Sequence, residues 1–495
     1  MTGQTRSRLA RSRRRAANGA RQRFVTALGG AGPARVVVVL SAVGGLASAD
    51  VATVGASASQ LRESLHISNT DVGLLVAVSS LVGAMASVPF GMLADRARRT
   101  AVLSVSIALW GVAMLWGATV TSFDVLLLSR LVLGVVTGSA GPVVASLVGD
   151  YFPGGDRGRT YSFIGLGELV GAGIGFAVTG DIAVLSWRAA FASLGVPAFA
   201  LAWFVARLPE PVRGETFFAA PGSVREQGRA TLSESAGSGS AGPTDAQRLA
   251  IEQGVRPHRR LLKVDPAHMG IVQATRYILS VKTNIFLIAS GALGYYFFAG
   301  VETFGVVFVK EHYRIDQALA NLLMIVVGGG AVAGIAIGGP LGDHLLRRGK
   351  LHGRVLVAAV AAAATPVLFV PVLVTRSTLA ALPYLVAAAL ALSAQNPPID
   401  AARLDVMPAP LWGRAEGVRT LVRAGAQAVA PLLFGAVADL LGGGHSGLLW
   451  TFAIMLLPLG ASAYFLFRAE RTVPADVATA AVLAGRAELG GTKAA

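Results

Sequence analysis

Six ionisable side chains interrupt long apolar stretches of the sequence, where a charge is costly unless it has a partner or a function. They are Asp50, Arg130, Glu168, Glu302, Arg419 and Arg423. Such groups can exchange protons, pair with one another or hold a charged solute. The chain has no cysteine, and its seven histidines are scattered without metal-ligand spacing. We therefore expect no metal, no other cofactor and no enzymatic activity.

The residues around these charges form long apolar runs. Of 495 residues, 54% are apolar and 14% are charged, whereas a water-soluble domain is nearer one-quarter charged. Runs of about 20 apolar residues, enough for a helix to cross the bilayer, recur along the chain. We place twelve, at about 34–57, 71–94, 100–121, 123–149, 160–183, 187–208, 283–307, 317–341, 353–375, 378–398, 412–440 and 446–468. The pattern predicts an all-α membrane protein and not a β-barrel.

Basic residues mark one side of the predicted bilayer. Nine arginines and no acidic residue precede position 50, and later basic groups fall on the same side. The positive-inside rule then predicts a multi-pass protein of the bacterial inner (plasma) membrane with cytoplasmic N- and C-termini. This topology explains the net charge of +16 without a nucleic-acid partner, for which no motif is present.

Polar stretches divide the chain into five predicted parts. They are a basic tail at 1–33, a six-helix bundle at 34–208, a cytoplasmic linker at 209–282, a second six-helix bundle at 283–468 and a cytoplasmic tail at 469–495. The end of the linker, 266–282, has an amphipathic pattern. It either lies along the membrane surface or forms an ordinary linker helix.

The two bundles share matching residues. Five positions of the first bundle recur 255 residues later with the same identity: Pro142, Asp150, Pro153, Gly158 and Arg159 match Pro397, Asp405, Pro408, Gly413 and Arg414. Such an internal duplication predicts two pseudo-symmetric six-helix halves that rock around a central site, as in alternating access. The sequence has no G-x-x-x-x-G-K-S/T loop, so nothing indicates a nucleotide-driven process of that type.

The segment Gly91-x-x-x-Asp95-Arg96-x-x-Arg99 resembles the signature loop of the major facilitator superfamily. The resemblance implies the major facilitator fold of twelve transmembrane helices. It also implies a cytoplasmic latch formed by Gly91, Asp95, Arg96 and Arg99, with Asp343 at the matching place in the second half. The arginines alternatively serve only to fix the topology.

Within that superfamily the chain is most similar to the spinster-like branch. The similarity lies in the intramembrane Asp50, in Ser129 to Gly134, in Asp150-Tyr151-Phe152-Pro153 and in Trp187 to Phe191. The branch exports lysolipids and related amphiphiles, and proton coupling has been proposed for its bacterial members. The resemblance therefore implies a small amphiphilic substrate, protons and the lipid bilayer as partners.

The intramembrane charges support two kinds of role. Asp50 and Arg130 fall at similar depth, so protonating Asp50 would break their pair and shift the conformational equilibrium. A permanent ion pair that only fixes helix packing is the alternative. Glu168 is a second candidate for proton coupling, or else a partner of Arg419 or Arg423.

Three further charges were assigned to the substrate or the cavity. Arg419 and Arg423 are four residues apart on one helical face and together could hold an anionic headgroup. Glu302 falls near the outer end of its span, as a cavity rim or solvated cap. Gly167, Gly171 and Gly175 form a small-xxx-small ladder that would allow close helix packing.

The leading hypothesis from sequence is a proton-coupled secondary transporter that acts as a monomer, with export as the candidate direction. Two alternatives stay open at this point. One is an uncoupled facilitator of a small solute. The other is a non-transporting membrane scaffold or sensor with the same fold, although six retained intramembrane charges argue against it.

Overall fold

The computed structural model describes residues 30–152, 154–212, 244–258, 269, 271–408 and 411–491, and the structural statements below concern these residues. Within them the chain is helical and contains no strand. Twelve helices are long and apolar enough to cross a membrane. The predicted all-α membrane architecture with twelve spanning helices is confirmed.

We label the twelve spanning helices α1–α12. They are α1 Ala31–Ala56, α2 Asn69–Arg96, α3 Arg99–Thr119, α4 Phe123–Thr137 with Ala140–Tyr151, α5 Gly154–Ile174 with the π-helical turn Gly175–Thr179 and Gly180–Leu185, α6 Trp187–Ala206, α7 Lys282–Tyr313, α8 Gln317–Arg347, α9 Gly353–Val374, α10 Thr378–Ala394 with Asn396–Asp405, α11 Trp412–Leu440 and α12 Gly444–Gly491. Three short helices, Ala58–Leu65, Asp245–Glu252 and Ile271–Ile278, lie between them.

The helices alternate in direction, so the bundle has two ends. We call the end that carries Arg98, Arg207 and Lys350 the basic face, and the end with the turns after α1, α7 and α11 the opposite face. Capping side chains start four helices at the opposite face, α2, α6, α8 and α10. Ser68 accepts a hydrogen bond from the Asp71 backbone N–H at 3.1 Å, and Asp316 accepts one from the Leu319 N–H at 2.8 Å.

Small residues allow α1 and α5 to pack closely. A Cβ on Gly171 would lie 1.9 Å from the carbonyl oxygen of Gly45, and one on Gly167 would lie 2.4 Å from that of Ser41. The contact is therefore backbone against backbone, a mode of packing common in membranes because lipid gives helices little hydrophobic drive to associate. Near the opposite face, the Thr53 hydroxyl of α1 lies 2.5 Å from the Thr179 hydroxyl in the π-helical turn of α5.

The last helix extends beyond the predicted span. α12 continues through 469–491, which the sequence analysis assigned to a tail. The extension is helical because one of its faces is apolar and covered: Ala469, Val473 and Val477 are fully buried against the C-terminal half. Residues 492–495 and residues 1–29 of the predicted tail at 1–33 lie outside the described residues, and α1 begins at Ala31, inside that predicted tail.

Part of the linker packs against the same surface. In the helix Asp245–Glu252, Ala246 and Ala250 are buried, and the Gln247 side-chain amide donates to the carbonyl oxygen of Asp405 at 3.0 Å. Residues 213–243 and 259–268 lie outside the described part of the chain. The linker helix Asp245–Glu252 therefore belongs structurally to the C-terminal half, whereas the start of the linker, at Glu210, contacts Arg99 of the N-terminal half.

Candidate functional site

A cavity of about 390 Å³ lies between the two halves. It is lined by α1, α2 and α4 from the N-terminal half and by α7 and α11 from the C-terminal half. Its polar lining includes Ser79, Ser80, Thr137, Glu302, Thr303 and Gln427. Valine, alanine and proline side chains form much of the remaining wall. The volume falls within the usual range for small-molecule sites.

The two halves meet at the opposite face. Asp439 on α11 accepts hydrogen bonds from the backbone N–H groups of Asn69 at 3.1 Å and Thr70 at 2.6 Å, at the start of α2. Arg62 and Glu311 form an ion pair at 3.4 Å across the same boundary. All hydrogen bonds that join the two halves, among the described residues, lie near this face. The cavity is therefore closed on that side.

Asp50 on α1 and Arg130 on α4 form a buried ion pair. Arg130 Nη1 lies 2.8 Å from Asp50 Oδ1, and the two side chains are 2% and 8% exposed. The guanidinium also lies over the Phe191 ring of α6, 4.4 Å from its centroid. Three helices thus fix the Arg130 side chain. Val51, next to Asp50, lines the cavity.

This ion pair leaves one donor of Arg130 unused. Its Nη2 is buried and has no hydrogen-bond partner among the described residues. The pair therefore rests on a single hydrogen bond. Protonation of Asp50 would leave the Arg130 guanidinium without its main electrostatic partner.

Glu168 on α5 and Arg423 on α11 occupy equivalent positions of the repeat, 255 residues apart. Arg423 lies near enough for its charge to act on Glu168. Its guanidinium lies over the Tyr295 ring, 4.8 Å from the centroid. Among the described residues, neither Glu168 nor Arg423 forms an ion pair. The two charged groups thus belong to different halves and do not neutralise each other by direct contact.

Arg419 differs from Arg423 in its environment. Arg419 pairs with Asp400 at 2.8 Å and with Glu416 at 2.6 Å. Arg403 pairs with Glu416 at 2.7 Å, which completes a cluster of two acids and two bases. The structure therefore does not place Arg419 and Arg423 in one anion site, because the charge of Arg419 is already compensated.

Glu302 lies deeper than the sequence suggested. α7 continues to Tyr313, so Glu302 is about three helical turns inside the helix. Its half-buried side chain lines the cavity, and its backbone carbonyl packs against α1, where a Cβ on Gly55 would lie 2.3 Å from the oxygen. The position is a cavity wall at the junction of the halves and not a solvated cap.

At the basic face, Arg99 joins three elements of the N-terminal half. Its side chain is 1% exposed and pairs with Asp150 of α4 and with Glu210, which follows α6. Glu210 also accepts the backbone N–H groups of Arg99 at 3.0 Å and Thr100 at 2.9 Å. Burial raises the pKa of the Glu210 carboxyl, but hydrogen bonds from Thr100 and Arg99 outweigh it and lower that pKa below its ordinary value.

The C-terminal half has a corresponding network. Arg354 Nε lies 2.9 Å from Asp343 Oδ1, and its Nη1 lies 2.5 Å from Asp405 Oδ2. Of the predicted latch residues, Arg99 and Asp343 thus belong to ion-pair networks. Gly91, Asp95 and Arg96 lie in α2, but their side chains are outside the described residues.

Sequence reasoning missed two members of these networks. Arg354 follows Arg99 by the same 255 residues that relate Asp150 to Asp405, so the repeat offset was a usable signal. Glu210 had no such signal, since the position 255 residues later is Phe465. Only the fold shows that the segment after α6 returns to the start of α3.

Comparison with known proteins agrees with this architecture. The family model of the Major Facilitator Superfamily matches residues 40–409. Protein spinster homolog 1 of Xenopus tropicalis is 29% identical over 186 residues, which cover 36% of this chain and 35% of that protein. The probable L-galactonate transporter of Escherichia coli (strain K12) is 27% identical over 148 residues, covering 29% and 33% of the two chains. The chain thus matches about a third of the length of these curated relatives.

Solved structures resemble the fold over most of its length. A bacterial homolog to the human lysosomal transporter Spinster, in an inward-facing and unoccupied conformation, has a TM-score of 0.70 at 18% identity and covers 90% of this chain and 99% of its own. The D-xylose-proton symporter has a TM-score of 0.61 at 15% identity, covering 88% and 97%. At these identities the likeness concerns the fold.

Proposed function

Because the chain belongs to the Major Facilitator Superfamily, we propose that it is a secondary transporter that couples the movement of a small amphiphilic solute to protons. It works by alternating access, with the two six-helix halves rocking around the central cavity. The basic face is cytoplasmic and the protein is a monomer of a bacterial inner membrane. Export is the proposed direction.

The observation that carries the proposal is the Asp50–Arg130 ion pair beside the cavity. Both side chains are buried, and the pair rests on one hydrogen bond of 2.8 Å. A proton on Asp50 removes the negative charge and leaves Arg130 without a counterion in a low-dielectric site. The protonated and deprotonated forms therefore favour different arrangements of α1 and α4, which gives a proton gradient a way to bias the transport cycle.

Alternating access is supported by where the halves touch. Among the described residues, the polar contacts that join the halves, including those of Asp439 and of the Arg62–Glu311 pair, lie near the opposite face. They accompany close packing of α2 against α11, where a Cβ on Gly73 would lie 2.1 Å from the carbonyl oxygen of Pro431. Each half also has an apolar core of its own, so the halves can separate at this interface as rigid bodies without unfolding. The networks around Arg99 and Arg354 would keep each half rigid at the basic face.

The amphiphilic substrate is supported by the cavity wall and by the likeness to spinster proteins. Hydroxyl and amide side chains alternate there with valine, alanine and proline. Such a wall offers both polar and apolar surface to one molecule. Glu168 is a second proposed site for proton exchange, and Arg423 is the nearby cation whose charge acts on it.

The decisive experiment is transport in proteoliposomes. Mass spectrometry of the purified protein identifies a copurified amphiphile, and its uptake is then measured with and without a pH gradient, with pyranine inside the vesicles reporting proton flux. Wild-type protein should couple the two fluxes, and Asp50→Asn should transport the compound downhill without proton movement. Uptake that ignores the gradient in wild-type protein would identify an uncoupled facilitator. The absence of any uptake would favour a scaffold or sensor.

A further inference from the structure

The geometry points to Glu302 as the residue that recognises a cationic group on the transported solute. This inference rests on the proposed transport function and specifies the charge of the substrate. A cation-bearing amphiphile would place its charged group against Glu302, inside the cavity between the halves.

The first step is the lack of a partner for Glu302. No hydrogen bond or ion pair joins its side chain to another of the described residues, and no charged group among them lies close enough to act on it. A half-buried carboxylate at membrane depth is costly without compensation. Most other intramembrane acids on the described residues are compensated: Asp50 has Arg130, and Asp400 has Arg419.

The second step is the composition of the cavity wall. Glu302 is the single charged residue among those that line the cavity in the described part of the chain. The lining side chains around it are neutral and mostly small, including Ser79, Ser80 and Thr137. They leave room for a ligand but offer no countercharge. The countercharge must therefore come from the solute or from a proton.

The third step is the location of Glu302 in the transport machinery. Its backbone carbonyl packs directly against Gly55 of α1, across the boundary between the halves. A cation bound to its side chain would lie next to the contact that closes the opposite face. Charge-assisted hydrogen bonds are among the strongest hydrogen bonds in proteins. Binding of a cation at Glu302 would therefore shift the conformational equilibrium.

A matched pair of probes tests the charge preference directly. Tetraphenylphosphonium and tetraphenylborate have the same shape and opposite charge. Their saturable binding to the full-length protein in neutral-lipid nanodiscs, after subtraction of their partitioning into protein-free nanodiscs of the same lipid, reports the effect of charge. Wild-type protein should bind the cation saturably and at least about tenfold more tightly than the anion. Glu302→Gln should weaken the cation by at least about tenfold and leave the anion unchanged. Glu252→Gln, on an exposed linker helix, should behave as wild type.

Equal binding of the two probes by wild-type protein would overturn the inference, since Glu302 would then bind a proton and no cationic group of a solute. Undiminished phosphonium binding by Glu302→Gln would overturn it too. If Glu302→Gln does not yield folded protein, Glu302→Asp retracts the carboxylate by one methylene and must still change the phosphonium affinity. The assay needs neither transport nor a pH gradient. Failure of proton coupling and failure of cation recognition are therefore distinguished.

Discussion

Arg354 occupies in the C-terminal half the position that Arg99 occupies in the N-terminal half, 255 residues earlier. Each guanidinium pairs with the aspartate 51 positions farther along the chain, Asp150 or Asp405. Among the described residues, Glu210 is the second carboxylate of the first network and Asp343 is that of the second. The duplication has thus kept the ion pair that joins the third and fourth helices of each half, while its supporting carboxylate comes from a different element.

Removing one partner of the second network should destabilise the protein strongly. Asp405 is 6% exposed in its side chain, so Arg354→Met leaves a buried carboxylate without a counterion. We expect a loss of about 3–5 kcal/mol, measured as the free energy of unfolding or as a lower thermal midpoint in detergent. Arg348→Met, at an exposed position between α8 and α9, is the control. If the two variants melt together, the pair contributes nothing to stability.

The first network should be sensitive to acid. The folded state lowers the pKa of Glu210, so its stabilising effect is present above the ordinary pKa of a glutamate, about 4.3, and is lost as pH falls through the lower folded value. Wild-type protein should therefore melt at a higher temperature than Glu210→Gln at pH 7, and the difference should shrink below about pH 4. A constant difference between pH 7 and pH 3 would contradict this linkage.

The fold could be predicted because the bilayer sets the length of an apolar run. All twelve predicted spans are present as helices. Helix ends were less predictable, since a helix can continue outside the apolar run wherever it is covered. α8 continues through His344 to Arg347, and α12 continues because Val473 and Val477 are buried by residues far away in sequence.

The site was predictable where depth alone brings charges together. Asp50 and Arg130 were placed at similar depth by counting residues from the two faces, and the structure puts them 2.8 Å apart. The environment of Arg419 was not predictable in this way. Its partner Asp400 comes from α10, and the approach of α10 to α11 depends on how the whole half packs.

Closure at the opposite face should depend on Asp439. Its carboxylate accepts four hydrogen bonds from Asn69 and Thr70 across the boundary between the halves. Asp439→Asn removes the charge and replaces one acceptor oxygen by an NH2 group, which faces the N–H and O–H donors of Asn69 and Thr70. Hydrogen bonds to a charged group contribute about 1.5–3 kcal/mol each. We therefore expect the equilibrium to shift by roughly tenfold or more toward a state open at the opposite face.

Accessibility of a single thiol measures this shift. The natural chain has no cysteine, so Ser80→Cys places one thiol in the cavity wall. A membrane-impermeant maleimide added at the opposite face should label it faster in the Asp439→Asn background than in the parent. Glu63→Gln, an exposed change at the same face, should leave the labelling rate unaltered. Equal rates in all three backgrounds would show that Asp439 does not hold the halves together.

The contact between α1 and α5 should tolerate no side chain at Gly171. A Cβ there would lie 1.9 Å from the Gly45 carbonyl oxygen, and because the obstacle is backbone, the two helices must separate for alanine to fit. We expect Gly171→Ala to lower stability by about 1–3 kcal/mol, seen as a lower thermal midpoint. Gly173→Ala on the same helix has nothing within 4 Å of its new Cβ and should gain about 0.5–1 kcal/mol from helix propensity. The opposite signs separate packing from propensity, and a Gly171→Ala protein as stable as Gly173→Ala would disprove the close contact.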